Sequence, residues 1–380
     1  MTQRSTSAFA FLFLFFFSTA YAAPMPTPAA PIIGAKSFLL IDAKTGHELA
    51  SLDADVQLAP ASLTKIMTTY VVFSALKQGQ ITLDEEVTIS EKAWRTGGSR
   101  MFIEVGKRVS VRDLVMGMIV QSGNDASVAL AEHIAGSESV FAEMMNQHAA
   151  MLGMHSSHFR NATGLPAENH VTTARDLAKL AQAMVNEFPE RYKWHAVKEF
   201  TFNDIKQSNR NSLLWRDDSV DGLKTGHTDA AGYCLVASAE RDGMRIISVV
   251  LGTSSTKARA DGSQALINYG FRFYETRLLF KAGEEISTAR IWKSENEYSS
   301  LGVLDDLYIT VRRGAYDRLE SKLDIPAIVT APLAIGQPVA ELNISLDGEQ
   351  LLSATLRALD DNPEGSFWQR TKDSMSLWFE

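Results

Sequence analysis

Apolar positions in this chain change their period from segment to segment. "AKSFLLIDAKTGHELASLDAD" alternates and turns at Thr45-Gly46, which predicts a strand hairpin. From Ser62 the apolar positions Leu63, Ile66, Met67, Tyr70, Val71 and Phe73 fall at helical spacing. "SVRDLVMGMIV" and "NDASVALAEHIAG" predict two more helices, the second ending at Gly136. "TARDLAKLAQAMVNEF" predicts another, with Thr173 capping it three residues before Asp176. Strands return over Tyr233 to Gly252 as a hairpin turning near Asp242-Gly243, and "GSQALINYGFRFYET" reads as a closing helix. Strands, then helices, then paired strands predict an α+β domain over 33–275, with helices packed on an antiparallel sheet.

The texture changes after about residue 276. "LYITVRRG", "KLDIPAIVTAPL" and "QPVAELNISLDGEQLLSATLRAL" are short alternating runs broken by Gly, Pro and Asp. They predict a small β-rich domain over 276–363. "DDNPEG" then breaks the chain before a last segment, 364–380. At 100° per residue from Phe367, the side chains of Trp368, Met375, Trp378 and Phe379 fall on one stripe, with Gln369, Arg370, Asp373 and Ser376 opposite. That is an amphipathic helix suited to lying in a membrane interface, and at about 1.5 Å per residue it is too short to span. The alternative is a helix docked on the protein itself. Its cations, Arg370 and Lys372, face Glu364, Asp373, Glu380 and the terminal carboxylate, so attraction to anionic lipid should be weak.

The N-terminus changes the picture of where the protein works. Arg4, the apolar run from Ala8 to Phe17 and the small residues Ala20 and Ala22 form a secretory signal sequence over 1–22. The run falls short of the about 20 apolar residues a membrane span needs. The chain of 380 residues then loses 22, leaving 358, enough for two domains at about 150 residues each. Loss of Arg4 takes the formal charge from −8 to −9. An acidic chain with no Lys/Arg cluster is a poor nucleic-acid binder. A single cysteine, Cys234, excludes an intrachain disulfide and fits a bacterial envelope better than a small stapled secreted domain. The sequons at Asn161 and Asn343 carry no meaning in that setting.

Candidate chemistry begins at "PASLTKIMT". Lys65 stands three residues after Ser62, one helical turn on, so its amine can reach the serine hydroxyl. A serine hydroxyl is a weak nucleophile until a base takes its proton, and a lysine is a base only when neutral. Desolvation, nearby cations and the helix N-terminus all disfavour the ammonium. Alone the motif is weak, and an N-cap serine with a surface lysine is the plainer reading. It is followed in order by Ser122-Gly123-Asn124 and Lys224-Thr225-Gly226. Together these three motifs are the signature of penicillin-interacting serine acyltransferases. Ser122 can pass a proton between Lys65 and a leaving amine. Asn124 can orient a substrate amide and Lys65. Lys224 can depress Lys65 and attract a carboxylate. Gly226 can let a strand edge approach a bound peptide.

"ASLTKIMT", "QSGNDA", "ARDLA", "NRNSLLW" and "VDGLKTGHTDAAGY" resemble the low-molecular-mass penicillin-binding proteins, the D-alanyl-D-alanine carboxypeptidases, from about Ser37 to the C-terminus. The resemblance implies that Ser62 is acylated, that Lys65 is its base, and that Ser122, Asn124, Lys224 and Thr225 complete the site. It implies an oxyanion hole from the N–H groups of Ser62 and His227. Arg259 falls where the family places an arginine for the substrate's terminal carboxylate. Asp176 and Arg210 match polar residues bordering the site. The implied substrate is the peptidoglycan pentapeptide stem, the implied inhibitors are β-lactams, and the implied location is the periplasmic side of the inner membrane, reached through the C-terminal helix. Gly123 replaces the aspartate of the Ser-Asp-Asn form and points to the carboxypeptidase branch. A β-lactamase is disfavoured by Gly123, by the extra domain and by the lack of a candidate for the class A deacylating glutamate. A D,D-endopeptidase usually lacks the second domain and tail, and a non-catalytic scaffold does not need the intact motif set. No cofactor or metal is expected. There is no H-E-x-x-H, and His155 and His158, although spaced for one helix face, lack a third ligand. Cys234 reads as a buried core residue, as do the methionines of 144–154.

Overall fold

A computed structural model of the chain describes residues 28–378. The expected signal sequence at 1–22 lies outside the described residues, as do Phe379 and Glu380. The first domain is built on five strands: β1 (Ser37–Asp42), β2 (Glu48–Leu52), β3 (Val220–Thr228), β4 (Gly232–Arg241) and β5 (Met244–Thr253). They pair antiparallel in the order β2-β1-β5-β4-β3, so β3 is an edge strand. The helices α1 (Thr64–Lys77), α2 (Val111–Val120), α3 (Asn124–Ala135) and α4 (Ala174–Glu187) belong to one side, and α5 (Thr256–Phe273) covers the other.

β1 shows why its sequence reads as an almost unbroken apolar run. Leu39 and Ile41 enter the core shared with α1 to α4, whereas Phe38 and Leu40 pack with Leu266 of α5. A sheet covered on both faces has no polar face to present, so alternation is lost. α1 is similarly surrounded, buried from Thr64 to Leu76. The expected caps are present. Thr173 accepts from the N–H of Asp176, and Gly136 closes α3 with a left-handed φ of +75°.

Three expectations need correction. The closing helix starts at Thr256, not Gly262, because Ser255 caps it by accepting from the N–H of Ala258. It ends at Phe273, and Tyr274–Phe280 is a strand paired with Leu307–Arg312. His155 and His158 lie in a turn and a β-bridge rather than on a helix. Among the methionines of 144–154, Met145 and Met154 are buried, but Met151 is exposed.

The second domain is β-rich. Six strands form a sheet in the order 319–324, 338–346, 349–358, 298–302, 285–292 and 329–330. Ile291, Leu301, Ile309, Leu342 and Leu356 centre its core. The domains meet at Asp42, fully buried, which accepts from Thr276 Oγ1 at 2.7 Å and from Thr45 Oγ1 at 3.0 Å. Thr310 Oγ1 lies 2.6 Å from Thr45 Oγ1 and 2.9 Å from Thr276 Oγ1.

The last helix, α6 (Phe367–Ser376), sits on this second domain. Asp373 accepts from the Lys293 N–H at 2.6 Å, and Gly365 donates to Lys293 O at 2.8 Å. Gln369, Arg370, Asp373, Ser374 and Leu377 are half-buried, whereas Phe367, Trp368, Met375 and Trp378 are exposed. The helix therefore docks by its polar edge and turns its aromatic side outward. Among the described residues, no helix is long and apolar enough to cross a membrane.

Candidate active site

Ser62 does not share an α-helix with Lys65. It lies in a single 3-10 turn, Ala61–Leu63, that leads into α1. The spacing still works, because Lys65 Nζ lies 3.2 Å from Ser62 Oγ. The turn is held in an unusual shape. Ala61 has a φ of +47°, a region that costs an alanine of order 1–3 kcal/mol. Gly164, itself at φ +81°, packs so closely on this turn that a Cβ there would sit 1.8 Å from Ala61 O. The loop bearing Gly164 thus clamps the turn from outside.

Lys65 is 1% exposed. Its amine donates to Asn124 Oδ1 at 2.7 Å and to the Thr163 carbonyl at 2.5 Å. Burial first, and the Arg210 guanidinium second, pull its pKa down to about 7. The motifs led us to expect that role of Lys224; Arg210 is a further cation beside Lys65 that they did not announce. Lys224 is itself held well below the usual ammonium range, by burial first and then by Lys65, Arg210 and Arg259. About half of the Lys65 side chains are therefore neutral near pH 7, with the lone pair beside the serine hydroxyl.

Ser122 and Asn124 come from the start of α3. Ser122 has a φ of +66°, and its buried Oγ has no partner among the described residues. An unpartnered buried hydroxyl is costly and unusual, and here it faces a cleft in which a reacting group can supply the partner. Asn124 is fixed by donating from Nδ2 to Gly97 O at 2.7 Å. Gly98 makes room for it, since a Cβ there would lie 2.6 Å from that nitrogen. Asp125 accepts from the N–H groups of Met101, Phe102 and Ile103 and so ties the loop to α3. A Cβ on Gly123 would come within 2.9 Å of that carboxylate, a local reason for glycine in the middle of the motif.

Lys224, Thr225, Gly226 and His227 lie along the edge strand β3. Gly226 has a nearer reason to be glycine than a bound peptide. A Cβ there would meet Leu63 Cγ and Pro60 O, both at 3.2 Å, so its absence lets β3 press against the nucleophile turn. Arg259 projects from α5 and is 7% exposed. Its Nη1 donates to Gly226 O at 3.1 Å, which sets the guanidinium under the strand. His227 stacks on Tyr233 with ring centroids 3.9 Å apart.

A cleft of about 830 Å³ joins these parts, with Ser62, Ser122, Asn124, Thr225, His227 and Arg259 in its wall. Gly226 and Arg210 also line it. Asp176 does not. It is buried elsewhere, accepting from Ser156 N at 3.0 Å and Ser157 Oγ at 2.8 Å. Sequence reasoning missed the 161–165 loop. Asn161, dismissed as half of a sequon, accepts through Oδ1 from Thr163 N, Thr163 Oγ1 and Gly164 N, so shaping the loop that binds Lys65. The tight Asn-x-Thr-Gly turn was its available signal. Among the described residues, no cluster of His, Cys, Asp and Glu is arranged to hold a metal ion.

Comparison with known proteins gives two family matches. Residues 25–255 match the family D-alanyl-D-alanine carboxypeptidase, and residues 274–364 match the penicillin-binding protein 5, C-terminal domain. The chain is 42% identical over 360 residues to D-alanyl-D-alanine carboxypeptidase DacA of Escherichia coli, covering 93% of this chain and 89% of that protein. It is 43% identical over 361 residues to DacC of the same organism, covering 93% and 90%. The solved penicillin binding protein 5 from Haemophilus influenzae matches with a TM-score of 0.86 and 42% identity, over 89% of this chain and 100% of that one. Penicillin-binding protein D2 from Listeria monocytogenes, solved in an ampicillin-bound form, matches at 0.58 and 32% identity, over 63% of this chain and 98% of that one.

Proposed function

The chain belongs to the D-alanyl-D-alanine carboxypeptidase family, and on that footing we propose that it removes the terminal D-alanine of the peptidoglycan pentapeptide stem through an acyl-enzyme on Ser62. The observation that carries the reading is the buried Lys65 amine, 3.2 Å from Ser62 Oγ and with its pKa drawn down to about 7.

The steps follow from the geometry. The stem lies extended in the cleft and pairs with the free edge of β3. Arg259 and Thr225 take its terminal carboxylate, and Asn124 orients one of its backbone amides. Neutral Lys65 accepts the Ser62 proton as Oγ attacks the carbonyl of the penultimate D-alanine. The oxyanion is held by the N–H groups of Ser62 and His227. The C–N bond breaks, and the departing D-alanine amine receives the proton from Lys65 through the Ser122 hydroxyl. Water then attacks the ester, with Lys65 again the base, and frees Ser62. A β-lactam is attacked in the same way, but its ring nitrogen stays tethered, so the acyl-enzyme persists. The ampicillin-bound relative supports that part of the reading.

The test uses purified protein and diacetyl-Lys-D-Ala-D-Ala, with free D-alanine as the readout. Wild type should release D-alanine and be labelled by fluorescent penicillin, and Ser62→Ala should do neither. Labelling of Ser62→Ala at another serine would sink the assignment.

By the same proposal the protein works on the periplasmic face of the inner membrane, held there by α6. The exposed row of Phe367, Trp368, Met375 and Trp378 supports this, because burying such area contributes roughly 25 cal/mol per Å². Truncation after Gly365 should yield protein that no longer sediments with membranes yet turns over small peptides at a nearly unchanged rate. Sedimentation of the truncated protein would place the anchor elsewhere.

A further inference from the structure

Beside α6 the second domain holds a cavity of about 450 Å³ with Lys293, Arg370 and Phe367 in its wall. It is remote in the chain from every residue assigned to the cleft. Lys293 is fixed there by its backbone. Its φ is +62°, its N–H is taken by Asp373, and its carbonyl accepts from Gly365. Arg370 pairs with Glu364 through Nη1, while its buried Nε has no partner among the described residues. The hydroxyls of Thr371 and Ser374 are spent inside the helix, on Phe367 O and Arg370 O. Side-chain donors for a guest therefore come from the two cations and the Thr330 hydroxyl, against the single carboxylate of Glu364. That chemistry suits an oxyanion, and a guanidinium suits phosphate in particular.

A second, shallower groove of about 490 Å³ adjoins the first and shares Thr371 with it. Its lining includes Trp368 and Met375, both exposed. A cationic cavity beside an apolar groove has the layout of a headgroup seat next to an acyl-chain track. We propose that the Lys293–Arg370 cavity binds the phosphate of an anionic lipid headgroup, whose chain lies along Trp368 and Met375. The lipid as source rests on the reading of α6 as the membrane-facing element; the phosphate chemistry does not.

Full-length protein is sedimented with vesicles of phosphatidylcholine alone and of phosphatidylcholine mixed with phosphatidylglycerol. The mixed vesicles should bind more tightly. Lys293→Gln and Arg370→Gln should each lower that preference about tenfold, through lost charge-assisted hydrogen bonds. Lys322→Gln removes the same charge from the far edge strand of that sheet, outside both the cavity and the groove, and should leave it nearly unchanged. Arg370 also steadies α6 through Glu364, so its loss could loosen the helix; Lys293 lies off the helix and avoids that ambiguity. Glu364→Gln frees the guanidinium and should raise the preference. Equal losses in the three cation variants overturn the site. Inorganic phosphate is titrated in parallel and followed by phosphorus NMR. Binding that disappears in Lys293→Gln, with no preference between vesicles, keeps the phosphate site and removes the lipid as its source. Wild type that binds neither vesicle defeats the anchor reading, and the phosphate titration then tests the cavity alone. Absence of both phosphate binding and vesicle preference refutes the proposal.

Discussion

Lys65 is useful as a base only because its ammonium is costly to form. Burial supplies most of that cost and Arg210 adds to it. The kcat/KM profile for a small peptide should therefore rise with pH through about 7, as Lys65 loses its proton, since this ratio reports the free enzyme. Arg210→Gln removes the neighbouring cation. The ammonium becomes easier to keep, the pKa rises, and the rising limb should move to higher pH. A limb that stays in place would mean that burial alone sets the base. The residue types and order of Ser62, Lys65, Ser122, Asn124 and Lys224 were legible in the sequence, because each motif is local. The pairing of Lys65 with Arg210 was not. The two are far apart in the chain, and only the fold brings them to one cleft.

Elements position the site more tightly than their sequences announce. The 3-10 turn carrying Ser62 is pressed from one side by β3, through Gly226, and from the other by the 161–165 loop, through Gly164. Gly164→Ala is the sharper probe. It puts a side chain at φ +81° and drives a Cβ into Ala61 O. The conformational cost alone is of order 1–3 kcal/mol, and moving the turn adds to it. Acylation by fluorescent penicillin should slow by about a hundredfold, a consequence of displacing an attacking atom by an ångström or less. A stopped-flow acylation rate equal to wild type would show that the loop is not a clamp. The strands and helices that build this frame were mostly visible in hydrophobic period. The early start of α5 was not, since its first turn, Thr256-Lys-Ala-Arg259, is largely polar and its signal is the Ser255 cap. The loop at 161–165 carries no period at all, and its order comes from the side-chain bonds of Asn161.

At the scale of the molecule, the two domains share one buried carboxylate. Asp42 sits at the end of β1, and its oxygens take Lys44 N, Thr45 N and Thr45 Oγ1 within the first domain and Thr276 Oγ1 from the first strand of the second. Thr310 closes the ring from the facing strand. Nothing in "SFLLIDAKTG" distinguished this aspartate from an ordinary turn residue, because its partner across the junction, Thr276, lies more than two hundred positions downstream. Asp42→Ala leaves four part-buried donors without their acceptor, at up to about 1–3 kcal/mol for each that water does not reach. The variant should unfold at a clearly lower temperature. Thr276→Val separates the two duties of the carboxylate. It removes only the contact across the junction and leaves the turn bonds of Asp42 intact, so it should loosen the second domain while the first stays folded. Limited proteolysis should then cut near 274–280 faster than in wild type, with penicillin labelling of Ser62 unchanged. If Thr276→Val is cut no faster, the junction is held by packing, and Asp42 serves only its own turn.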